Sequence, residues 1–137
     1  MTEFEIQSKV FAWTVSLEPL IPEFKYIYGS PNGDYRPIRV GRRLKEAGTK
    51  PGFPDIFWPY PNSQFAGLFV EQKKIGGELS EEQDDWIAYL KTANYSVHVS
   101  YTVKETIRLI LVHYFEGREV YINEYLNMYY NDEGNSC

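Results

Sequence analysis

Two carboxylates and a lysine lie in or beside two runs with strong β propensity. Asp55 opens the run 55–58, and Glu71 closes the run 67–71, two residues before Lys73. Both runs are rich in aromatic and aliphatic residues, whereas the segment between them is rich in proline, asparagine and serine. This pattern predicts a β-hairpin with a long loop.

The hairpin predicts where these charges meet. If it folds symmetrically about Ser63, Asp55 lies opposite Glu71, and opposed residues share one face of a sheet with Cβ atoms about 5 Å apart. Lys73 points to the same face, because side chains alternate along a strand. Two facing carboxylates repel each other unless positive charge lies between them. We therefore expect a divalent cation between Asp55 and Glu71.

A divalent cation at this position indicates phosphoryl chemistry. Mg²⁺ usually takes one or two protein carboxylates, which leaves positions for water and for phosphate oxygens. The ion can activate a water and neutralise charge on phosphoryl oxygens, and the Lys73 ammonium can add stabilisation. A Glu-x-Lys tripeptide is weak evidence by itself, because an ordinary exposed pair on a strand has the same spacing.

A second cluster of charge lies upstream of the hairpin. The net charge of −5 argues at first against a nucleic-acid partner, because phosphate binding depends on lysine and arginine. The segment 36–50, however, has six basic residues against the single acid Glu46, so it carries +5 and the rest of the chain −10. Charge alone favours a solvated basic loop and a polyanion-binding site about equally. The candidate nucleic-acid-binding residues are Arg36, Arg39, Arg42, Arg43, Lys45 and Lys50.

The remaining sequence predicts helices around the hairpin. Residues 95–101 alternate between apolar and polar types, as expected of a strand, whereas the segment 28–54 is dense in turn residues and predicts no regular element. The predicted order is α-β-β-α-β-α, an α/β fold. Helix starts are indicated by three capping-box spacings, which are Thr2 with Glu5, Ser80 with Gln83, and Thr102 with Glu105.

Length and composition favour one globular domain. With 137 residues, of which 43% are hydrophobic and 17% aromatic, the chain can bury one core. We interpret residues 1–117 as that domain and residues 118–137 as a tyrosine-rich acidic tail that packs on a partner or frays. Neither a signal peptide nor a membrane span is expected. Cys137 is the single cysteine, which excludes an intramolecular disulfide and fits a reducing cytoplasmic setting.

Six short motifs occur along the chain. Pro54-Asp55 and Glu71-Gln72-Lys73 together match the Pro-Asp…Glu-x-Lys signature of the restriction-endonuclease-like superfamily. The six motifs resemble those of its small virus-type replication-repair nuclease (VRR-NUC) family, over most of residues 3–115. In order, they are Glu3…Gln7, Pro31-Asn32-Gly33…Arg36, Arg43-Leu44-Lys45…Gly48, Lys50-Pro51-Gly52-Phe53-Pro54-Asp55, Gly67-Leu68-Phe69-Val70-Glu71-Gln72-Lys73 and Gly77…Leu79-Ser80…Gln83…Trp86.

The resemblance implies a fold and a site. The fold is a restriction-endonuclease-like α/β core, with a central mixed β-sheet flanked by helices. In the site, Asp55 and Glu71 bind Mg²⁺ or Mn²⁺, and Lys73 positions or activates a water. The family's helix-borne acid matches Glu3, which becomes a further candidate for catalysis and metal binding. Glu5 reads better as a helix cap.

Two glutamines leave alternatives open. Gln83 matches a family glutamine that can belong to the catalytic site, but its spacing from Ser80 suits a helix cap equally well. Gln72 stands where the family usually has an apolar residue that packs beneath the helices, and a buried polar side chain must find a partner or lower stability. That departure supports the alternative of a noncatalytic DNA-binding module. His98 and His113 match no motif and receive no role.

The resemblance also implies a substrate and partners. Small family members that stand alone resemble phage enzymes, and they can act as homodimers on branched DNA such as four-way junctions. We therefore expect a phage-encoded, metal-dependent DNA endonuclease that acts as a homodimer on duplex or branched DNA and has no membrane partner. A third possibility is an accessory protein whose tyrosine-rich tail recruits a partner. The sequence does not distinguish DNA from RNA.

Overall fold

A four-stranded sheet forms the centre of the computed structural model, which describes residues 1–31 and 38–135, with side chains up to residue 131. The strands are β1 (Tyr28–Gly29), β2 (Ile56–Trp58), β3 (Leu68–Gln72) and β4 (Ser96–Ser100). They lie in the order β1-β2-β3-β4, with β1/β2 and β2/β3 antiparallel and β3/β4 parallel. The expected mixed sheet is therefore confirmed.

The hairpin of β2 and β3 has the predicted register. Ile56 pairs with Val70, which is the pairing that a hairpin symmetric about Ser63 requires. The next opposed positions beyond this pair are those of Asp55 and Glu71. The hairpin therefore brings the two acidic residues to the same end of the ladder.

Helices cover both faces of the sheet. Three of them begin at the predicted caps, where the hydroxyl oxygens of Thr2, Ser80 and Thr102 each accept a hydrogen bond from the backbone N–H three residues further on. In the described part of the chain, no helix combines the length and the apolar character needed to cross a membrane. The helices are α1 (Glu3–Leu17), a short 3-10 helix (Pro22–Tyr26), α2 (Ile38–Glu46), α3 (Glu81–Thr92), α4 (Val103–Phe115) and α5 (Glu119–Asn135).

The segment 28–54 is more regular than the sequence predicted. It contains β1 and the nine-residue helix α2, so the prediction of no regular element was wrong at both places. Turn signals dominate the two ends of the segment, but the run 42–46 between them consists of good helix formers. Gly41 is the weak helix former in α2, and the local propensity of its neighbours outweighs it.

Strand β3 separates two hydrophobic clusters. Leu68 and Val70 belong to the cluster beneath α1 and α4, whereas Phe69 belongs to the cluster beneath α3. Side chains alternate along a strand, so Gln72 faces α4 and Glu71 faces α3. Every residue of β3 is buried, and the acid therefore lies at the end of a strand that is covered on both faces.

The residues that follow Gly117 form a packed helix. Ile122 and Leu126 of α5 are buried and join the cluster that contains α4. The expectation that this segment packs on a partner or frays therefore does not hold for these two side chains. The division of the chain into a domain ending at residue 117 and a separate tail stays a prediction.

Gln72 is buried, and both the oxygen and the nitrogen of its side-chain amide have hydrogen-bond partners. It is 1% exposed, and its Oε1 accepts a hydrogen bond from the Thr106 hydroxyl at 2.5 Å. Its Nε2 donates to the carbonyl oxygens of Lys73 and Ser100, both at 3.1 Å. The Thr106 Oγ1 also lies 2.7 Å from the Ser100 Oγ. The polar residue that departs from the family pattern therefore leaves no unpaired amide atom in the core.

Replacing Thr106 by valine should lower the free energy of unfolding by about 1–3 kcal/mol, because the buried Gln72 Oε1 loses its donor. Thr92→Val is the matched control, since Thr92 is exposed and water can replace the bond from its hydroxyl to the Tyr89 carbonyl. We expect the control to change stability by less than about 0.5 kcal/mol. Urea denaturation measures both variants, and equal losses would contradict a stabilising role for the Gln72 network.

Candidate active site

Asp55 and Glu71 lie side by side at the end of the hairpin. Glu71 is 2% exposed within β3, and Asp55 directly precedes β2 and is half-buried. The backbone ladder between the strands stops at Ile56, but the Asp55 Oδ2 accepts a hydrogen bond from the backbone N–H of Gln72 at 2.8 Å. This bond holds the Asp55 carboxylate beside the Glu71 backbone and limits where it can point.

Burial controls the protonation of this pair. Burial, followed by the negative charge of Asp55, raises the pKa of Glu71 to about 9. Burial also raises the pKa of Asp55, although the hydrogen bond from the backbone N–H of Gln72 opposes that rise. The Lys73 charge lowers both pKa values but is a smaller influence than burial. Without a cation, the pair therefore does not carry two negative charges at neutral pH.

The two oxygens of Glu71 differ in their surroundings. Oε1 accepts a hydrogen bond from the Gln83 Nε2 at 2.7 Å and lies 3.8 Å from the Lys73 Nζ. Oε2 is fully buried and accepts no hydrogen bond from the donors of residues 1–31 and 38–135, while the Glu71 and Asp55 carboxyl groups lie within hydrogen-bond reach of each other when one of them is protonated. A buried carboxylate oxygen without a donor is rare in folded proteins, and a cation or a proton shared with Asp55 would each satisfy it.

A divalent cation fits these donors. Mg²⁺ and Mn²⁺ prefer carboxylate oxygens, and Glu71 and Asp55 offer two neighbouring carboxylates, one of them with a desolvated and unpaired oxygen. No three Asp, Glu, His or Cys side chains of the described residues converge on one point as a closed metal site does. Mg²⁺ does not need such a cage, because it usually keeps several water ligands.

Gln83 caps α3 and also contacts Glu71, and its catalytic role stays a prediction. Its Oε1 accepts a hydrogen bond from the backbone N–H of Ser80 at 2.9 Å, which completes the capping box of α3. Its Nε2 donates to Glu71. Because the cap fixes the amide oxygen, the amide nitrogen is directed towards the carboxylate. The start of α3 therefore orients a hydrogen-bond donor in the site.

Lys73 is held at the edge of the same group. It is 8% exposed, and its backbone N–H donates to the Ser100 carbonyl at 2.8 Å, which extends the parallel pairing of β3 and β4. A Cβ at Gly77 would lie 3.5 Å from the Lys73 Cβ and 3.0 Å from the Lys74 carbonyl. The chain after Lys73 therefore turns back closely, which confines the lysine beside Glu71.

The two acids at the start of α1 have different surroundings. The Glu3 Oε2 accepts a hydrogen bond from the Lys74 backbone N–H at 3.3 Å, and the Glu3 charge contributes to the raised pKa values of Asp55 and Glu71. Glu5 instead accepts a hydrogen bond from the capping hydroxyl of Thr2. Glu3 is therefore the acid of α1 that lies near the pair, and its function as a metal ligand stays a prediction.

A cleft of about 400 Å³ opens onto Asp55 between α1 and β1. A Cβ at Gly29 would lie 3.2 Å from the Gln7 Nε2, so the absence of a side chain lets β1 come close to α1. The sequence did not predict that Ser8 and Ser30 line this cleft. Ser8 follows Phe4 by one helical turn, a spacing that could have revealed it, whereas Ser30 has no sequence signal. The lining residues are Glu3, Phe4, Gln7, Ser8, Phe11, Gly29, Ser30, Pro31 and Asp55.

The basic residues are found on a helix and the loop after it. Arg36 lies outside the described residues. Lys50 follows α2 in a loop and is exposed. The four others belong to α2, in which no residue is buried, so the structure brings them together on one exposed helix: Arg39, Arg42, Arg43 and Lys45.

The two histidines have partners elsewhere in the fold. The His113 Nε2 lies 2.6 Å from the Tyr60 carbonyl, and its Nδ1 lies 3.2 Å from the Asn62 amide. The His98 Nε2 lies 2.9 Å from the Ser96 hydroxyl. Neither histidine lines the cleft at Asp55.

Comparisons with known proteins agree with this geometry. The fold is similar to the solved structure of a VRR-NUC domain protein, with a TM-score of 0.66 and 24% sequence identity, covering 82% of this chain and 88% of that chain. No curated protein matches the chain. The family model of the VRR-NUC domain matches residues 4–104, which include Asp55, Glu71, Lys73 and Gln83. This chain therefore belongs to the VRR-NUC family.

Proposed function

We propose that this protein is a metal-dependent endonuclease that hydrolyses phosphodiester bonds of DNA, with a preference for branched DNA. The observation that carries the proposal is the buried Glu71 carboxylate beside Asp55, in which Oε2 accepts no hydrogen bond from a donor of the described residues. Membership of a nuclease-fold family supports it.

The residues around the carboxylate pair would hold the ion. Asp55 and Glu71 are the proposed ligands of Mg²⁺ or Mn²⁺, with Glu3 as a further candidate. When bound, the ion supplies a Lewis acid that acidifies a water and neutralises charge on the phosphoryl group. Gln83 and the Gln72 backbone N–H each hold one carboxylate in place, and such supporting contacts preserve a site's geometry.

Lys73 has a separate role in this proposal. Its ammonium is largely buried, and a positive charge in a site with little water interacts strongly with developing negative charge. We assign it to the stabilisation of the phosphate oxygens in the transition state and to the positioning of the attacking water. It also lowers the repulsion between Asp55 and Glu71.

The basic residues of α2, together with Lys50, would contact the DNA backbone. Exposed arginines and lysines on one helix can neutralise successive phosphates, and their positive charge contrasts with the acidic remainder of the chain. Two strands of a branched substrate require two active sites, which makes a homodimer part of the proposal. The phage origin implied by the resemblance stays a prediction.

The alternative of a noncatalytic DNA-binding module rested on one sequence feature. That feature was the polar Gln72, which was expected to disturb the packing behind Glu71. In the structure, its amide has partners at both ends. Because Asp55, Glu71 and Lys73 are all present, we favour the enzyme.

Glu71→Gln should abolish cleavage and raise the melting temperature of the metal-free protein. The amide keeps the shape of the side chain but cannot provide an anionic ligand, so cleavage falls on the order of 100-fold or more. A raised carboxyl pKa in the folded state lowers stability above the unfolded-state pKa, so its removal should add a few degrees at pH 7–8.

One set of gels and melting curves measures both effects. A four-way junction, a linear duplex and a single strand are incubated with Mg²⁺, with Mn²⁺ and with chelator, and the proteins are melted in chelator. Full cleavage by the Glu71→Gln variant would contradict the assigned site. DNA binding without cleavage by the unaltered protein in either metal would favour the noncatalytic module.

Lys73→Met should reduce the rate constant of cleavage on the order of 100-fold, because it removes a buried charge while keeping an unbranched side chain of nearly the same length. Lys74→Met is the control, since Lys74 is the neighbouring lysine and its side chain is exposed. Single-turnover cleavage with Mg²⁺ compares the two variants, and we expect the control to change the rate only a few-fold. Similar losses for both lysines would argue for general phosphate attraction instead of a role at the reacting group.

Arg42→Gln combined with Arg43→Gln should weaken DNA binding and reduce its dependence on salt. Each phosphate contact that is lost lowers the slope of log Kd against log salt concentration by about 0.9. The control pair is Lys25→Gln with Lys91→Gln, which removes the same charge from other exposed positions. Fluorescence anisotropy of a labelled duplex in chelator measures the slopes. An unchanged slope in the arginine variant would remove α2 from the interface.

A further inference from the structure

A second cavity lies directly beside the cleft at Asp55. It has a volume of about 370 Å³, and Ser30 and Pro31 line both spaces. The backbone N–H of Ser30 donates to the Asp55 carbonyl at 2.7 Å. The short backbone stretch of Ser30 and Pro31 therefore separates the carboxylate site from the second cavity, so a strand with its phosphate at Asp55 would pass next to this cavity.

The walls of this cavity are aromatic. Phe53 and Trp86 are stacked, with ring centroids 5.2 Å apart and planes at 13°, and both rings are half-buried where they line the space. Tyr28 lines the same cavity and is 59% exposed. The Trp86 Nε1 donates to the Pro51 carbonyl at 3.1 Å, so its one donor is already used. What Trp86 offers a ligand is therefore ring surface and not a hydrogen bond.

The loop that carries Phe53 is tightly packed against α3, which carries Trp86. Gly52 has a φ of +89°, and a Cβ at this position would lie 2.5 Å from the Glu82 carbonyl carbon. Phe53 also contacts Phe69 in the sheet, with ring centroids 5.5 Å apart. Phe53 and Trp86 are therefore fixed before any ligand arrives, which reduces the ordering entropy lost on binding.

The positive segment of the chain leads into the cavity. After α2, the chain continues through Gly48, Thr49 and Lys50, and all three line the space. Aromatic surfaces next to basic side chains are the combination by which proteins bind single-stranded nucleic acid, with bases stacked on rings and phosphates held by positive charge.

We propose that this cavity binds an unpaired nucleobase of the strand being cut, next to the scissile phosphate. A base inside a duplex is stacked on both faces and paired at its edge, so only a base outside the stack can lie against the rings. Selection by stacking discriminates little among the four bases. The inference rests on the proposed nuclease function for its location and adds a substrate class, which is DNA with an unpaired nucleotide at the cleavage position.

Equilibrium binding in chelator tests the cavity without any cleavage. The probes are a DNA duplex with one unpaired 2-aminopurine, whose fluorescence falls when it stacks on a ring, and a fully paired duplex with the same label. Tyr28→Ala and Trp86→Ala should each weaken binding of the unpaired probe by roughly 5-fold or more, with less than a 2-fold change for the paired probe. Tyr28→Phe should bind as the unaltered protein does.

Tyr89→Ala is the matched control, because Tyr89 is 62% exposed on α3 and does not line the cavity. It should leave both probes unaffected. Melting curves verify that each variant folds. Because Tyr28 and Trp86 are replaced in separate proteins, a folding defect in one variant does not decide the result.

Two results would overturn the cavity assignment. In the first, the unaltered protein binds the unpaired and the paired probe equally well. In the second, Tyr28→Ala and Trp86→Ala weaken the binding of both probes equally, or of neither. Cleavage with Mg²⁺, measured in parallel, keeps the two proposals apart. Selective loss of binding without cleavage by the unaltered protein supports the cavity and overturns the nuclease, whereas cleavage with unaffected binding in both variants overturns the cavity alone.

Discussion

The main constraint on the structure is that two carboxylates lie beside each other at the end of an apolar hairpin, with Glu71 buried and Asp55 half-buried. A buried charge is unfavourable unless hydrogen bonds and opposite charge compensate for it. Here Gln72, Gln83 and Lys73 supply those contacts, and each belongs to an element that is anchored in a hydrophobic cluster. Apolar packing therefore holds polar groups in an arrangement that they would not adopt alone.

Gln72 connects the two sides of the sheet. Its backbone N–H holds Asp55, while its side chain bonds to Thr106 of α4 on the opposite face. An apolar residue at this position would keep the first contact and lose the second. The chain thus has a polar network of buried groups at this position, and such networks stabilise a fold when every member has a partner.

The sequence predicted those features that depend on local contacts. The three helix caps follow from residues three positions apart, and the hairpin register follows from two strands close together in the sequence, so Asp55 and Glu71 were predicted to face each other. Helix α2 was missed because turn signals at the two ends of the segment 28–54 outweighed the helix propensity of residues 42–46. The burial of Ile122 could not be predicted, since it depends on the docking of α5 against the rest of the core. The sequence left a helix cap and a place beside the carboxylates as alternatives for Gln83, and one amide makes both contacts because its donor and its acceptor are different atoms.

The closeness of the charged residues along the chain affects how the protein folds. Asp55, Glu71, Lys73 and Gln83 all belong to one hairpin and the start of the next helix, so their contacts close short loops, and such contacts form rapidly. Glu3 reaches this group across 71 residues of sequence separation, through its bond to Lys74. The carboxylate pair can therefore assemble early during folding, while the cleft becomes complete only when α1 docks. A chain in which α1 has not yet docked would contain the charged centre without the wall that α1 adds to it.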